Sequence, residues 1–359
     1  MPLPVPRIAR ALAFISMAGI VCLAQSAGSG ASAPINASPG EWSQLARFVA
    51  PGCCALLTNS VSISSDTAVV GMIPLNGNYN QVAKVFTKSA QGWRNAGPAA
   101  TLSGTINVEP FTAPVAVDGD TIVTGGCTGT SENYVFVYVK PAGGWTDMAT
   151  PTAVLAPSDG NIYFGDSVAI SGDTIIVGDY GFNSQTGAAY VYVKPAGGWH
   201  NMTETAQLSA SDGQANDLFG YSVSISGNTA VVGATQFGAI GTAGPGKAYV
   251  FVEPNGGWKN MTQTAELTVS DGADFDETGL SVSIDGDTIL VGSPIHNRPL
   301  GAAFIYEKPS SGWTNMTESA TLTPGDGLTG GNFASSVAIS GSIAVAGTPY
   351  RGYTPFGGE

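Results

Sequence analysis

Aspartate is the residue whose placement in this chain invites chemistry. It recurs in Ser158-Asp159-Gly160, Ser211-Asp212-Gly213 and Ser270-Asp271-Gly272 and again at Asp326. Asp217 follows the second copy, and Asp274 and Asp276 follow the third. Two chemistries suit this spacing. A calcium ion takes several converging oxygens, and Asp-Gly-x-x-x-Asp offers two carboxylates plus backbone carbonyls. Alternatively, the Asp of Ser-Asp-Gly bonds its own backbone as an Asx turn. Asp212, Asp217, Asp271, Asp274 and Asp276 are therefore the candidate calcium ligands. Asp159, Asp212, Asp217, Asp271, Asp276 and Asp326 mark a candidate ligand-binding face.

Catalysis has less to work with. There are two histidines, His200 at a position held by Thr or Lys in sister segments and His296 in a connecting stretch. No nucleophile elbow, paired-histidine motif or phosphate loop is present. A hydrolase using two Asp carboxylates stays open, because a glycosidase needs such a pair at a fixed separation. No catalytic residue is assigned.

The elements that must position these aspartates come from a tandem repeat. Its copies are SVSISSDTAVVG, PVAVDGDTIVTG, SVAISGDTIIVG, SVSISGNTAVVG, SVSIDGDTILVG and SVAISGSIAVAG, closing on glycines 71, 125, 178, 233, 292 and 347. A second series, Trp93, Trp145, Trp199, Trp258 and Trp313, runs in phase with it, each preceded by Gly. Each unit reads as four strands. SVAIS alternates polar and apolar, TIIVG is a continuous apolar run suited to burial on both faces, and a Gly-containing hairpin joins them. A β-branched and aromatic third strand such as Ala189–Lys194 follows, then a Pro-Gly turn, the Trp and a fourth strand such as Thr205–Ser211.

Four consecutive antiparallel strands make a propeller blade, and packing blades face to face buries surfaces that a lone blade would expose. The expected fold is an all-β, six-bladed β-propeller over residues 41–359, with seven blades as the alternative for a complete parent chain. Residues 41–50 resemble a Trp-led fourth strand and are expected to close the ring beside the last blade. That blade stops before an obvious third strand, which would make the chain part of something longer.

In such a meander the first-to-second and third-to-fourth turns share one face, and here they are short. The second-to-third loops and the blade-to-blade connections share the other, where they are longer, variable and rich in Asp. Variable loops on a rigid scaffold are the usual place for binding. The Trp rings would suit a sugar face, but their fixed phase favours packing against a neighbouring blade. Asn201-Met202-Thr203 and its counterparts at Asn260 and Asn315 fit a glycosylation pattern and also fit plain surface turns.

Phe164-Gly165 and Phe219-Gly220 before the first strand, with Gly233-Ala234-Thr235, Gly292-Ser293-Pro294 and Gly347-Thr348-Pro349 after the second, resemble FG-GAP repeats. These are known from integrin α-subunit propellers and from exported bacterial proteins. Thr278-Gly279, Phe333-Ala334 and Gly178-Asp179-Tyr180 depart from the pattern. The resemblance implies a β-propeller, and in integrin-type copies a calcium loop between the first and second strands. Here that connection is a tight hairpin with no room for such a loop, so the family's calcium site is not carried over.

Residues 1–27 read as a secretory signal. Arg7 and Arg10 precede an apolar stretch, Ala11–Ala24, that is short for a membrane span, and small residues follow it. A retained anchor is the alternative, and residues 28–40 read as a flexible linker. The mature protein is expected to be secreted, periplasmic or at the cell surface, with no membrane span. Losing the two leader arginines takes the net charge from −13 to −15. That argues against a nucleic-acid partner, which needs a basic surface. Cys53, Cys54 and Cys127 remain, so a Cys54–Cys127 disulfide or three free thiols are both open. The expected role is an exported binding or adhesion module for a protein or glycan, without catalysis. A secreted hydrolase and a structural envelope protein are the alternatives.

Overall fold

The computed structural model describes residues 12–16, 20–26, 42–48, 55–74, 81–104, 114–127, 133–160, 163–238, 243–297, 300–325 and 331–349. Among them five four-stranded antiparallel blades follow one another, then a sixth with two strands, Ser336–Ser340 and Ile343–Gly347. The third blade shows the pattern: Ser167–Ser171, Thr174–Asp179, Ala188–Val193 and Ala206–Ser209, each paired with the next. Among the described residues, helix is confined to Phe182–Gln185. The expected all-β propeller of four-stranded blades is the fold observed.

The second strands explain why the blades stack. Ile175 and Val177 enter the apolar layer shared with the second blade, while Ile176 enters the layer shared with the fourth. A strand buried on both faces needs an unbroken apolar run, and TIIVG supplies it. The core is therefore a series of layers between adjacent blades. Trp145, Trp199, Trp258 and Trp313 are buried in successive layers. Trp145 also donates its indole N–H to Thr67 Oγ1 of the preceding blade at 3.2 Å. These rings pack between blades and offer no face to a sugar.

Hydrogen bonds close the blade edges. The N–H groups of Val115 and Val117 donate to Ser60 and Ser62 Oγ of the preceding blade at 2.7 and 3.1 Å. Ile284 donates to Ser224, and Val337 and Ile339 donate to Ser281 and Ser283. The hairpin glycines extend the series. Gly119, Gly172, Gly227, Gly286 and Gly341 donate to Ser64, Asp118, Ser171, Ser226 and Asp285, linking all six blades in order. At the outer edge Asn201, Asn260 and Asn315 accept from Val154, Gln207 and Glu266 of the preceding blade. The repeated Asn-Met-Thr segments thus clasp one blade to the next.

Backbones also meet directly. A Cβ added at Gly125, Gly178, Gly233 or Gly292 would overlap the carbonyl oxygen of Gly165, Gly220, Gly279 or Ala334 in the following blade. The closing glycine of one repeat is pressed against the Phe-Gly element of the next.

One expectation is corrected. Trp42–Phe48 pairs with Ile20–Ser26, which pairs with Leu12–Ser16, and among the described residues it makes no pairing with the last blade. Ile20–Ser26 offers a free strand edge close by in sequence, which an unpaired strand takes up.

Gly233→Ala tests the close approach. Its Cβ meets backbone and not a flexible side chain, so we expect a loss of about 1–3 kcal/mol, as for overpacking. Gly197→Ala, in open space, should stay within about 0.5 kcal/mol of the parent. Urea unfolding of both variants reads the difference, and equal stabilities would refute the contact's role.

Candidate functional site

The two ends of the blades differ in what they hold. At the hairpin end, Lys194 pairs with Asp173 at 2.8 Å and Lys308 with Asp287 at 3.0 Å. At the other end, the second-to-third loops interlock with the blade-to-blade connections. Asn216 and Leu218 N–H donate to the carbonyls of Ser184 and Gln185, and Phe275 and Thr278 N–H to those of Gly244 and Pro245. The two kinds of loop share a face, as the meander topology requires.

Of the predicted site aspartates, Asp159, Asp212, Asp217, Asp271 and Asp276 lie on this face with partners of their own. Asp159 accepts from the Tyr190 hydroxyl at 2.8 Å. Asp212 repeats that contact with Tyr249 at 3.0 Å and also pairs with Lys247 at 2.7 Å. Asp217 accepts from Gln214 N–H at 2.7 Å and Gln236 Nε2 at 3.2 Å. Asp276 accepts from Ala273 N–H at 2.9 Å and bonds His296 Nδ1 at 2.8 Å. Asp271 lies 3.6 Å from His296 Nε2, and Asp274 is exposed. Asp326 and Cys54 lie outside the described residues, as does the Cys127 side chain.

This arrangement does not fit a calcium shell. Asp217 and Asp276 cap their own turns, Asp212 is neutralised by a lysine, and calcium needs oxygens converging on one point. Among the described residues, no three His, Cys, Asp or Glu side chains are placed to hold a metal ion.

Three features of the face were not expected from the sequence. The first is the buried pair His296 and Asp276, which ties the Ser293–Gly301 loop to the connection entering its blade. The second is Asp179, fully buried, with Oδ1 accepting from Gly181 N–H at 3.2 Å and Oδ2 without a partner. Burial pushes its carboxyl up to about 7; the Gly181 N–H opposes the shift, and the Asp159 and Asp166 carboxylates add to it. The third is a row of tyrosines. Tyr163 and Tyr180 have ring centroids 5.1 Å apart, and Tyr180 and Tyr221 5.4 Å. Burial, with the nearby Asp166 carboxylate, pushes the Tyr180 hydroxyl up.

Each feature sits where one copy departs from the repeat. Asp179 takes the position of Ala234, Ser293 and Thr348. Tyr163 replaces Leu218, Glu277 and Asn332; Tyr221 replaces Asp166, Leu280 and Ser335. Those departures were the available signal.

The FG-GAP repeat pattern matches residues 149–192, 202–251, 261–306 and 316–355. The chain belongs to the FG-GAP repeat family. Each matched segment opens at or just before the outer strand of one blade, so the FG-GAP sequence unit straddles the boundary that the glycine contacts and Asn clasps seal. Among solved structures, the Kuenenia stuttgartiensis hydrazine synthase is similar over 82% of this chain and 81% of that one, with a TM-score of 0.51 and 12% identity. At that identity the likeness shows the fold alone. Among curated proteins none matches the chain. Among the described residues, no helix is long and apolar enough to cross a membrane.

Two measurements follow for this FG-GAP face. Melting in calcium and in chelator should give the same midpoint, since an ion bound only by the folded form must raise it; a rise in calcium would overturn the assignment of these aspartates to turns and ion pairs. Folded, Asp179 binds its proton more tightly than it does unfolded, so the stability this contributes is present at low pH. That contribution is lost as pH rises from its ordinary value of 3.8 through about 7. Asp179→Asn should remove this falling limb and melt higher than the parent above pH 7. Parallel melting curves from pH 4 to 8 would sink that assignment.

Proposed function

We infer that this FG-GAP propeller is an exported binding module that presents its loop face to a protein or glycan. One observation carries the reading. Among the described residues the exposed large hydrophobic side chains are Tyr163, Tyr221 and Phe237, and all three belong to the loop face. A soluble surface gains nothing from collecting its exposed aromatics at one end, whereas a binding face does. The rest of the molecule follows the repeat, and this face breaks it. Export is supported by the leader pattern at residues 1–27, and the acidic balance excludes a polyanionic partner.

A hydrolytic reading draws on Asp179, whose raised carboxyl lies near Asp159 and Asp166 as an acid near its carboxylates would. Its full burial weighs against it. The carboxyl touches no solvent, and Asp159 is engaged by Tyr190.

The test is an array of defined neutral and charged glycans and purified extracellular proteins probed with the purified protein. Phe237→Ser combined with Tyr221→Ser should abolish the signal. Asp173→Ser combined with Lys194→Ser, at the hairpin end, should leave it intact. The reverse pattern, or no signal for the parent, would overturn the reading.

A further inference from the structure

At the sixth blade the contacts that seal the other five run out. In each earlier blade a third strand lies antiparallel along the second. Among the described residues, Ile343–Gly347 pairs with Ser336–Ser340 alone. Gly347 offers its carbonyl oxygen to the Ala334 N–H, on the paired side. Polar groups alternate in direction along a strand, so those of Ala344 and Ala346 face the open side. The edge is apolar, with no charge and no proline, and such an edge is ready to pair.

The fifth blade supplies a shelf beside that edge. Where two four-stranded blades meet, the third strand of the later one sends two aromatic rings, two positions apart, onto the outer strands of the earlier one. Phe304 and Tyr306 cover Val250, Ala265 and Leu267 in this way, and Tyr249 with Phe251 does the same one layer earlier. Val250, Ala265 and Leu267 are fully buried. Their counterparts in the fifth blade have no such cover among the described residues: Ile305 and Leu322 are half-buried and Ala320 is exposed. Where the second ring of the pair is a tyrosine, it also brings a hydroxyl. Tyr192 donates to the Ala156 carbonyl and Tyr306 to that of Thr268, each at 2.9 Å. Thr323 follows Leu322 as Thr268 follows Leu267, so its carbonyl is the corresponding acceptor.

We propose that the open edge of the sixth blade and this shelf form one groove for an extended segment of another polypeptide, which adds as an antiparallel strand. Ladder bonds to Ala344 and Ala346 give affinity. The shelf sets the sequence, which is an aromatic residue, a β-branched residue and a tyrosine in succession. The occupant is a partner and not a second copy, because this protein's own third strands are paired on both sides within their blades. The aromatics of residues 350–359 stand three apart, out of step with strand alternation. The groove involves none of the loop-face aromatics, so it stands or falls independently of the reading above.

The experiment is isothermal titration of the purified protein with three synthetic peptides. Gly-Ala-Ala-Phe-Ile-Tyr-Glu-Lys-Pro, the sequence of residues 301–309, should bind. A peptide of the same composition with its aromatics three apart should not, nor should one with both aromatics changed to Ser. Ala346→Pro removes an N–H on the open side, a change that edge strands tolerate. It should weaken binding about three- to tenfold, as the loss of one ladder bond does. Leu322→Asp puts a charge on the shelf and should abolish binding. Thermal melts confirm that both variants fold, and the peptide series reads the groove without any variant. Equal binding of the three peptides, binding of none, or binding unchanged in both variants overturns the proposal. Sedimentation showing a self-associated protein that the first peptide dissociates would give the groove to a second copy and overturn it too.

Discussion

The first strand of each blade is an edge strand, and half of its N–H groups face away from its own sheet. Left alone they would face solvent as a template for pairing with another chain. Here the preceding blade answers them. Ser60, Ser62 and Ser64 accept from Val115, Val117 and Gly119, and equivalent residues repeat the contact to Gly341. The constraint reaches back into the sequence. The acceptor must be short enough to let two inner strands approach, which is why the polar positions of SVSIS are serines and why aspartate replaces serine only at the strand end. The same close approach forbids side chains at the closing glycines. Serine ladder and glycine contact are two consequences of one spacing.

That spacing also decides where function can sit. The inner edge, the outer edge and both blade faces are committed to neighbours, through Ser, Asn and the apolar layers respectively. The hairpin end is built from tight turns and locally paired charges. Only the loop face has residues free to differ between copies, and there the copies do differ. Even on that face much is structural. Tyr190 and Tyr249 hold Asp159 and Asp212, so what looks like an acidic surface in sequence is partly a set of turns pinned by third-strand hydroxyls.

The fold was legible because repetition turns weak local signals into strong ones. Alternation in SVAIS, the apolar run in TIIVG and the Pro-Gly turn before Trp199 each describe a single strand or turn, and several copies in phase describe a propeller. The two faces followed from topology alone. The site was legible only in part. The repeat shows the aspartates, yet it cannot show that Asp276 bonds His296, since those residues are twenty apart in different loops. Tyr163, Tyr180 and Tyr221 belong to three segments and meet only when two blades dock. Trp42–Phe48 was misplaced for a related reason. Its sequence marks it as a strand, but pairing depends on which edge is open, and Ile20–Ser26 supplies one.

Asp179 links this argument to the tyrosine row. A buried carboxyl with an unpartnered oxygen costs free energy, and the corresponding positions hold Ala234 and Ser293 without that cost. Its backbone N–H lies against Gly220, and its Oδ1 takes the N–H of Gly181, the residue on which Tyr163 rests. Holding Gly181 fixes the floor under one ring, and the chain direction through Tyr180 fixes the next. The protonated carboxyl is the form that suits burial, so the floor is set most firmly where the carboxyl stays neutral. This costly residue thus stands beside a surface where the blade departs from the repeat.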